Sequence, residues 1–227
     1  MDKYRIEIQS LNLIIKEQAI LNDITFEFKS GLSYLLLGRN GAGKSSLLNC
    51  ILNLVKNFKG NINYEGFERS FPKCSLLPEL LEVPDGIIAR EYLDSFVELL
   101  KREKRFDIES YEKIKNQFEI QEFEKKSFKE LSKGMKKQLY ICLILAAQSE
   151  LVVLDEPFEG LDLVSKEFLI DQLLNKIDNG TIVIASSHEL AMIYDKFDYI
   201  LCLKKGGISN IVSKSSLTSY EELLNSV

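Results

Sequence analysis

The chain has 227 residues, about one and a half domains at roughly 150 residues per domain, so one generous domain or one carrying an insertion is expected. Hydrophobic residues at 45% and charged residues at 28% exclude a disordered chain. A net charge of -5, from 29 basic and 34 acidic residues, lacks the basic surplus of a phosphate-backbone binder, so no nucleic-acid partner is expected. The longest uncharged stretch, Gln138 to Ser149, falls far short of the roughly 20 apolar residues that span a bilayer. The opening Met1-Asp2-Lys3-Tyr4-Arg5 lacks the apolar run of a secretory signal. Cys50, Cys74, Cys142 and Cys202 are far apart and form no CxxC pair, which predicts reduced thiols in a cytosolic compartment.

Tyr4 to Ile8, Leu11 to Ile15 and Ile24 to Phe28 alternate or cluster apolar residues as strands do, so the chain is expected to open with an antiparallel sheet. Leu32 to Leu37 is an almost unbroken apolar run, as in a strand buried on both faces. A glycine-rich turn follows, then a predicted helix from Lys44 to Val55. Residues Pro84 to Glu130 are richer in charge, with balanced signs and helical period, as in Glu91 to Leu100; they read as a helical insertion in an α/β core. The alternation then resumes with a helix at Ser132 to Ala147, a strand at Leu151 to Leu154, a helix at Leu163 to Ile177 and a strand at Thr181 to Ala185. Strands at Tyr199 to Leu203 and Ile208 to Val212 flank Gly206-Gly207, and Ser219 to Ser226 reads as a short helix.

The segment Gly38-Arg39-Asn40-Gly41-Ala42-Gly43-Lys44-Ser45, followed by Ser46, matches GxxxxGK[ST] between a buried strand and a helix. Backbone N–H groups at such a helix start surround phosphate oxygens, and glycines permit the close approach. Lys44 can reach the β- and γ-phosphates, and the Ser45 hydroxyl is placed to ligate magnesium. Leu151-Val152-Val153-Leu154 ends in Asp155-Glu156, two carboxylates at the end of a buried strand, where α/β folds bind ligands. Asp155 would hold magnesium, directly or through water, and Glu156 would polarise the water attacking the γ-phosphate. His188, the single histidine, follows the next buried strand and Ser186-Ser187. A lone histidine is more often a structural hydrogen-bonder than a catalytic group, and its place at a strand end favours the catalytic role.

With Leu131-Ser132-Lys133-Gly134-Met135 opening a helix shortly before the Leu151 strand, the chain resembles the ATP-binding cassette (ABC) ATPases over nearly its whole length. The resemblance implies an α/β phosphate-loop NTPase core, about residues 1–79 and 148–227, with an N-terminal antiparallel subdomain and a helical subdomain at about 80–147. It implies that Ser132 and the Gly134 backbone contact the γ-phosphate of ATP held by a second ABC protomer, so that two protomers sandwich two ATP molecules and hydrolysis reopens them. Gly160-Leu161-Asp162 resembles the D-loop that couples the two sites, and His188 resembles the switch histidine. Leu76-Leu77-Pro78-Glu79 stands where the Q-loop links the magnesium site to the helical subdomain and a multi-pass permease. The implied protein is a cytosolic ATP hydrolase held on the inner face of a membrane by that permease.

The chain departs from the family's pattern twice. Ile15 stands where an aromatic residue usually stacks on adenine, which weakens base selectivity, and Glu79 replaces the commoner glutamine. Lys133 and Ser187-His188-Glu189 resemble the exporter-like branch. A soluble ABC switch acting in translation or DNA repair, and a non-hydrolysing partner cassette, are the competing readings. Against the first stands a single cassette with a short insertion. Against the second stand Lys44, Asp155, Glu156 and His188.

Overall fold

Side chains along a strand leave on alternate faces, and the central sheet buries both. In the computed structural model, which describes residues 3–188, 195–216 and Leu223, Leu35, Leu37, Val152, Leu154, Val183 and Ala185 face one apolar cluster. Tyr34, Leu36, Leu151, Val153, Ile182 and Ile184 face another. Doubly buried strands of this kind are a parallel-sheet feature.

That sheet has six strands, in the order β5 (Cys74–Leu77), β6 (Leu151–Leu154), β7 (Ile182–Ser187), β3 (Ser33–Leu37), β8 (Tyr199–Lys204) and β9 (Gly207–Ser213). Neighbours are parallel except β9, which returns antiparallel to β8. Its first face carries the helices α2 (Ala89–Arg102), α3 (Ile108–Gln117), α4 (Lys133–Ala146) and α5 (Leu163–Asp178). Its second face carries α1 (Lys44–Ile51) and a three-stranded antiparallel sheet, in the order β2 (Gln18–Lys29), β1 (Arg5–Ile15) and β4 (Lys59–Glu65). This is the expected α/β architecture with an antiparallel subdomain and added helices.

Several boundaries differ from expectation for local reasons. The strands expected at Tyr4 to Ile8 and Leu11 to Ile15 are one strand, β1, whose register shifts at Ser10. Ser10 adopts φ 47, and its N–H donates to the Thr25 hydroxyl at 3.0 Å. Such a bulge bends a strand without ending it. The helix expected to reach Val55 stops at Ile51. Asn53 is left-handed at φ 56, and the N–H groups of Leu54 and Val55 both turn back to the Asn49 carbonyl. Asparagine suits a left-handed helix end. The tail helix expected at Ser219 to Ser226 lies outside the described residues apart from Leu223, which is buried.

Two strands, β4 and β5, were not expected from sequence. Within the helical segment, Tyr92 of α2 packs against Phe96, Phe128 and Tyr140 with ring centroids 4.7, 5.0 and 5.5 Å away, which ties α2 to α4. Among the described residues no helix is long and apolar enough to cross a membrane.

Candidate functional site

Because β6, β7 and β3 are neighbours and parallel, the residues that follow them leave one edge of the sheet together. Gly38 follows β3, Asp155 and Glu156 follow β6, and His188 follows β7. This is the carboxyl edge where open α/β sheets bind ligands.

The phosphate loop is held by backbone packing. Gly43 takes φ 103, and a Cβ there would stand 2.9 Å from the Ile20 carbonyl and 2.9 Å from a Leu21 methyl. A Cβ at Gly38 would stand 2.7 Å from the Leu203 carbonyl. The Ala42 carbonyl accepts from the Gly206 N–H at 3.2 Å, so the turn between β8 and β9 presses the loop against β2. No side chain caps α1 at Gly43, and its first turn carries no acid. The N–H groups there are free of side-chain competition, as an anion site at a helix start requires.

Asn40, Gly41, Ala42, Gly43, Lys44, Ser45 and Ser46 line a cleft of about 420 Å³ together with Ile20, Glu79 and Glu156. Lys44 Nζ donates to the Gly38 carbonyl at 2.7 Å and lies 3.2 Å from Glu156 Oε1. Glu156 Oε2 is 2.9 Å from His188 Nδ1. One carboxylate therefore bridges the loop lysine and the histidine. Glu156 adopts φ 49, a left-handed conformation that costs a non-glycine residue about 1–3 kcal/mol and that clusters at functional sites.

Asp155 is buried beside it. Its N–H donates to the Leu77 carbonyl at 2.8 Å, which fixes the end of β5 and so brings Pro78-Glu79 to the cleft. Ser186, at the end of β7, donates its hydroxyl to Asp155 Oδ1 and accepts the Glu156 N–H at 2.9 Å. The Ser45 hydroxyl and the Glu79 carboxylate line the cleft, while Asp155, next to Glu156, is not among its lining residues. These are hard oxygen donors of the kind that suit magnesium, which takes one or two carboxylates plus phosphate oxygens and keeps several waters.

The remaining expected residues lie elsewhere. Arg39 is exposed and does not line the cleft. Ser132 caps α4, accepting the Met135 N–H at 3.1 Å, and Asp162 caps α5, accepting the Ser165 N–H at 2.8 Å. The Ser165 N–H and hydroxyl hold the Asp162 carboxyl below its ordinary range. Gly134 meets the turn before α5, where a Cβ would stand 2.8 Å from the Gly160 carbonyl. Ser132 and Gly134 thus lie by the turn at Gly160 that leads to Asp162, and none of the three lines the cleft of its own chain. Ile15 is 44% exposed and is not among the cleft residues, whereas Ile20 lines the cleft.

A comparison with protein families matches residues 21–159 to the family described as ABC transporter, well over half of the chain. The chain belongs to that family. It is an ATP-binding ABC ATPase, an ATP hydrolase coupled to transport.

Among curated relatives, the ABC transporter ATP-binding protein YtrB of Bacillus subtilis is 29% identical over 215 residues, covering 93% of this chain and 73% of YtrB. The manganese transport system ATP-binding protein MntB of Listeria innocua is 31% identical over 211 residues, covering 87% and 86%. A solved ATP-binding subunit of an ABC transporter superposes with a TM-score of 0.81 at 23% identity, covering 97% of this chain and 98% of that one, which establishes the ABC fold. None of these names supports the exporter-like branch expected from Lys133 and the Ser187-His188 neighbourhood.

Three residues at or behind the site were missed in the sequence. Ser186 had a signal, a serine at the end of a buried strand beside the acidic one. Ile20, which lines the cleft, had none. Nor had Lys137, which donates to the Glu156 carbonyl at 2.7 Å and stands among other basic residues at the start of α4.

Proposed function

We propose that the chain is the ATP-hydrolysing subunit of an ABC transporter, closing with a second ABC protomer around two ATP molecules to drive substrate through a separate multi-pass permease. The observation that carries this reading is the alignment of Lys44, Glu156 and His188 across the ends of three adjacent strands.

In this reading the N–H groups from Gly41 to Ser46 bind phosphate oxygens, with Gly38, Arg39 and Asn40 completing the loop, and Lys44 supplies charge to the β- and γ-phosphates. Ser45 and Asp155, with Glu79 as a third donor, hold Mg2+, which when bound neutralises phosphate charge. Glu156 accepts a proton from the attacking water. His188 orients that carboxylate and reaches toward the γ-phosphate. Ser132, Gly134 and Asp162 face the ATP of the opposite protomer, which accounts for their distance from their own cleft. Ile20 offers the base an apolar surface without aromatic stacking, so discrimination of ATP from GTP is weak.

The helical segment at about 80–147 is the proposed docking subdomain for the permease and the remainder the core. The protein then sits on the cytoplasmic face of the membrane through its partner. Export is the direction favoured by Lys133 and the sequence Ser187-His188-Glu189. Relatives named for manganese transport match the chain as well as others do, so vesicle transport assays assign the direction.

The test is co-purification from detergent-solubilised membranes of the native cell. A stoichiometric multi-pass protein is the expected companion. Recovery with ribosomes or DNA-repair proteins instead would overturn the transporter reading and favour a soluble ABC switch.

A further inference from the structure

Two lysines are buried among the described residues, Lys44 and Lys137. Lys44 belongs to the phosphate loop. Lys137 lies one turn into α4, 1% exposed, beside the apolar core positions Leu139, Ile141 and Cys142. A buried charge is disfavoured unless it is well satisfied, and an apolar side chain would fill the same space without that cost. Its Nζ donates to the Glu156 carbonyl at 2.7 Å and to the Glu159 carbonyl at 2.8 Å.

We propose that Lys137 is a positioning residue for ATP hydrolysis: its ammonium, anchored on the carbonyls of Glu156 and Glu159, holds the turn that presents the Glu156 carboxylate to the cleft. The proposal rests on the reading of Glu156 as the residue that activates water. Glu156 sits in a strained left-handed conformation, and such a residue keeps its geometry only when its surroundings over-determine it. Ser186 fixes its N–H and Lys137 fixes its carbonyl, so both peptide groups flanking the carboxylate-bearing carbon are held. Lys133, one turn earlier on α4, pairs with the Glu159 carboxylate at 2.8 Å. The same helix thus grips the turn by a side chain at one level and by its backbone at the next. Since α4 begins at Lys133, between its cap Ser132 and Gly134, a shift of that helix start is passed through Lys137 to the Glu156 carboxylate.

The test compares Lys137→Met, which keeps length without a donor, with Lys137→Arg, which keeps charge and donors. Steady-state ATPase kinetics, nucleotide affinity and thermal unfolding are read on the purified full-length chain, with Glu156→Gln measured in parallel. The expected result is a kcat lowered about 10- to 100-fold in Lys137→Met, the scale of a small misplacement of a catalytic group. KM and nucleotide affinity stay within about twofold, and Lys137→Arg recovers a substantial part of kcat. Wild-type kcat in a folded Lys137→Met protein would overturn the proposal, as would parallel losses of kcat and affinity that arginine does not rescue. If Lys137→Met does not fold, Lys137→Gln decides by the same kcat and KM criteria. Hydrolysis that survives Glu156→Gln would overturn the underlying reading instead, whatever the lysine variants do.

Discussion

Lys44 Nζ on the phosphate loop and Glu156 Oε1 at the end of β6 stand 3.2 Å apart, with both side chains at least nine-tenths buried. The residues are far apart in sequence and meet because β3 and β6 flank the same neighbour, β7. In the proposed reading this pair sets the cation for the phosphates next to the carboxylate that activates the attacking water, in a setting where burial strengthens electrostatics.

In the proposed reading Lys44→Ala removes the positive charge that faces the terminal phosphates. An interaction with a charged group contributes about 1.5–3 kcal/mol, so ATP affinity is expected to fall roughly 10- to 100-fold. Titration calorimetry with MgATP checks this, and unchanged affinity would contradict the assignment of the phosphate loop.

His188 Nδ1 contacts the second oxygen of the same carboxylate at 2.9 Å. His188→Ala is expected to lower kcat about 100-fold, with a KM that changes little, because general-base alignment and not ground-state binding is lost. Phosphate-release kinetics measure both. A raised KM at full kcat would assign the histidine to nucleotide binding alone.

Gly134 has no room for a side chain, since a Cβ would lie 2.8 Å from the Gly160 carbonyl. Gly134→Ala must displace the start of α4 or the turn before α5, at a cost of about 1–3 kcal/mol for overpacking. Turnover is expected to fall roughly tenfold while the affinity of the single chain for ATP holds, because Gly134 does not line that cleft. Full turnover would show that this contact does not bear on catalysis.

Burial pushes the thiols of Cys50 and Cys202 up to about 11 and that of Cys142 to about 12. In the unfolded chain a thiol titrates near about 8.5. A folded pKa above the unfolded one gives stability that is fully present below the unfolded value and is lost as pH rises through the folded value. These thiols therefore lower thermal stability as pH rises from about 8.5 to 11, and the contribution of one of them is read as a shallower slope in Cys142→Ala. At pH 8 a thiol reagent is expected to label the half-buried Cys74 first.

Much of the fold and most of the cleft are legible in the sequence because they are contiguous. The loop from Gly38 to Ser46 and the Asp155-Glu156 pair each carry their chemistry in neighbouring residues, bounded by apolar strands. The strand β4 hides because Lys59–Glu65 contains glycine and two asparagines and keeps only Ile62 and Tyr64 half-buried, so propensity and alternation are both weak. The four-residue β5 is too short to show a period. Ile20 and Lys137 depend on tertiary placement. Ile20 reaches the cleft because the β1–β2 hairpin folds over the phosphate loop. Lys137 resembles its solvated neighbours until the turn after β6 supplies two carbonyls.

Proposed hydrolysis depends on Glu156, so the most direct measurement is ATP turnover together with oligomeric state for Glu156→Gln. Loss of the base is expected to lower hydrolysis about 10²- to 10⁴-fold with ATP binding retained. Because unhydrolysed ATP would keep bridging two protomers, sedimentation is expected to show an ATP-dependent dimer accumulating in the variant. Wild-type turnover in Glu156→Gln would contradict the assignment of Glu156 as the residue that activates water.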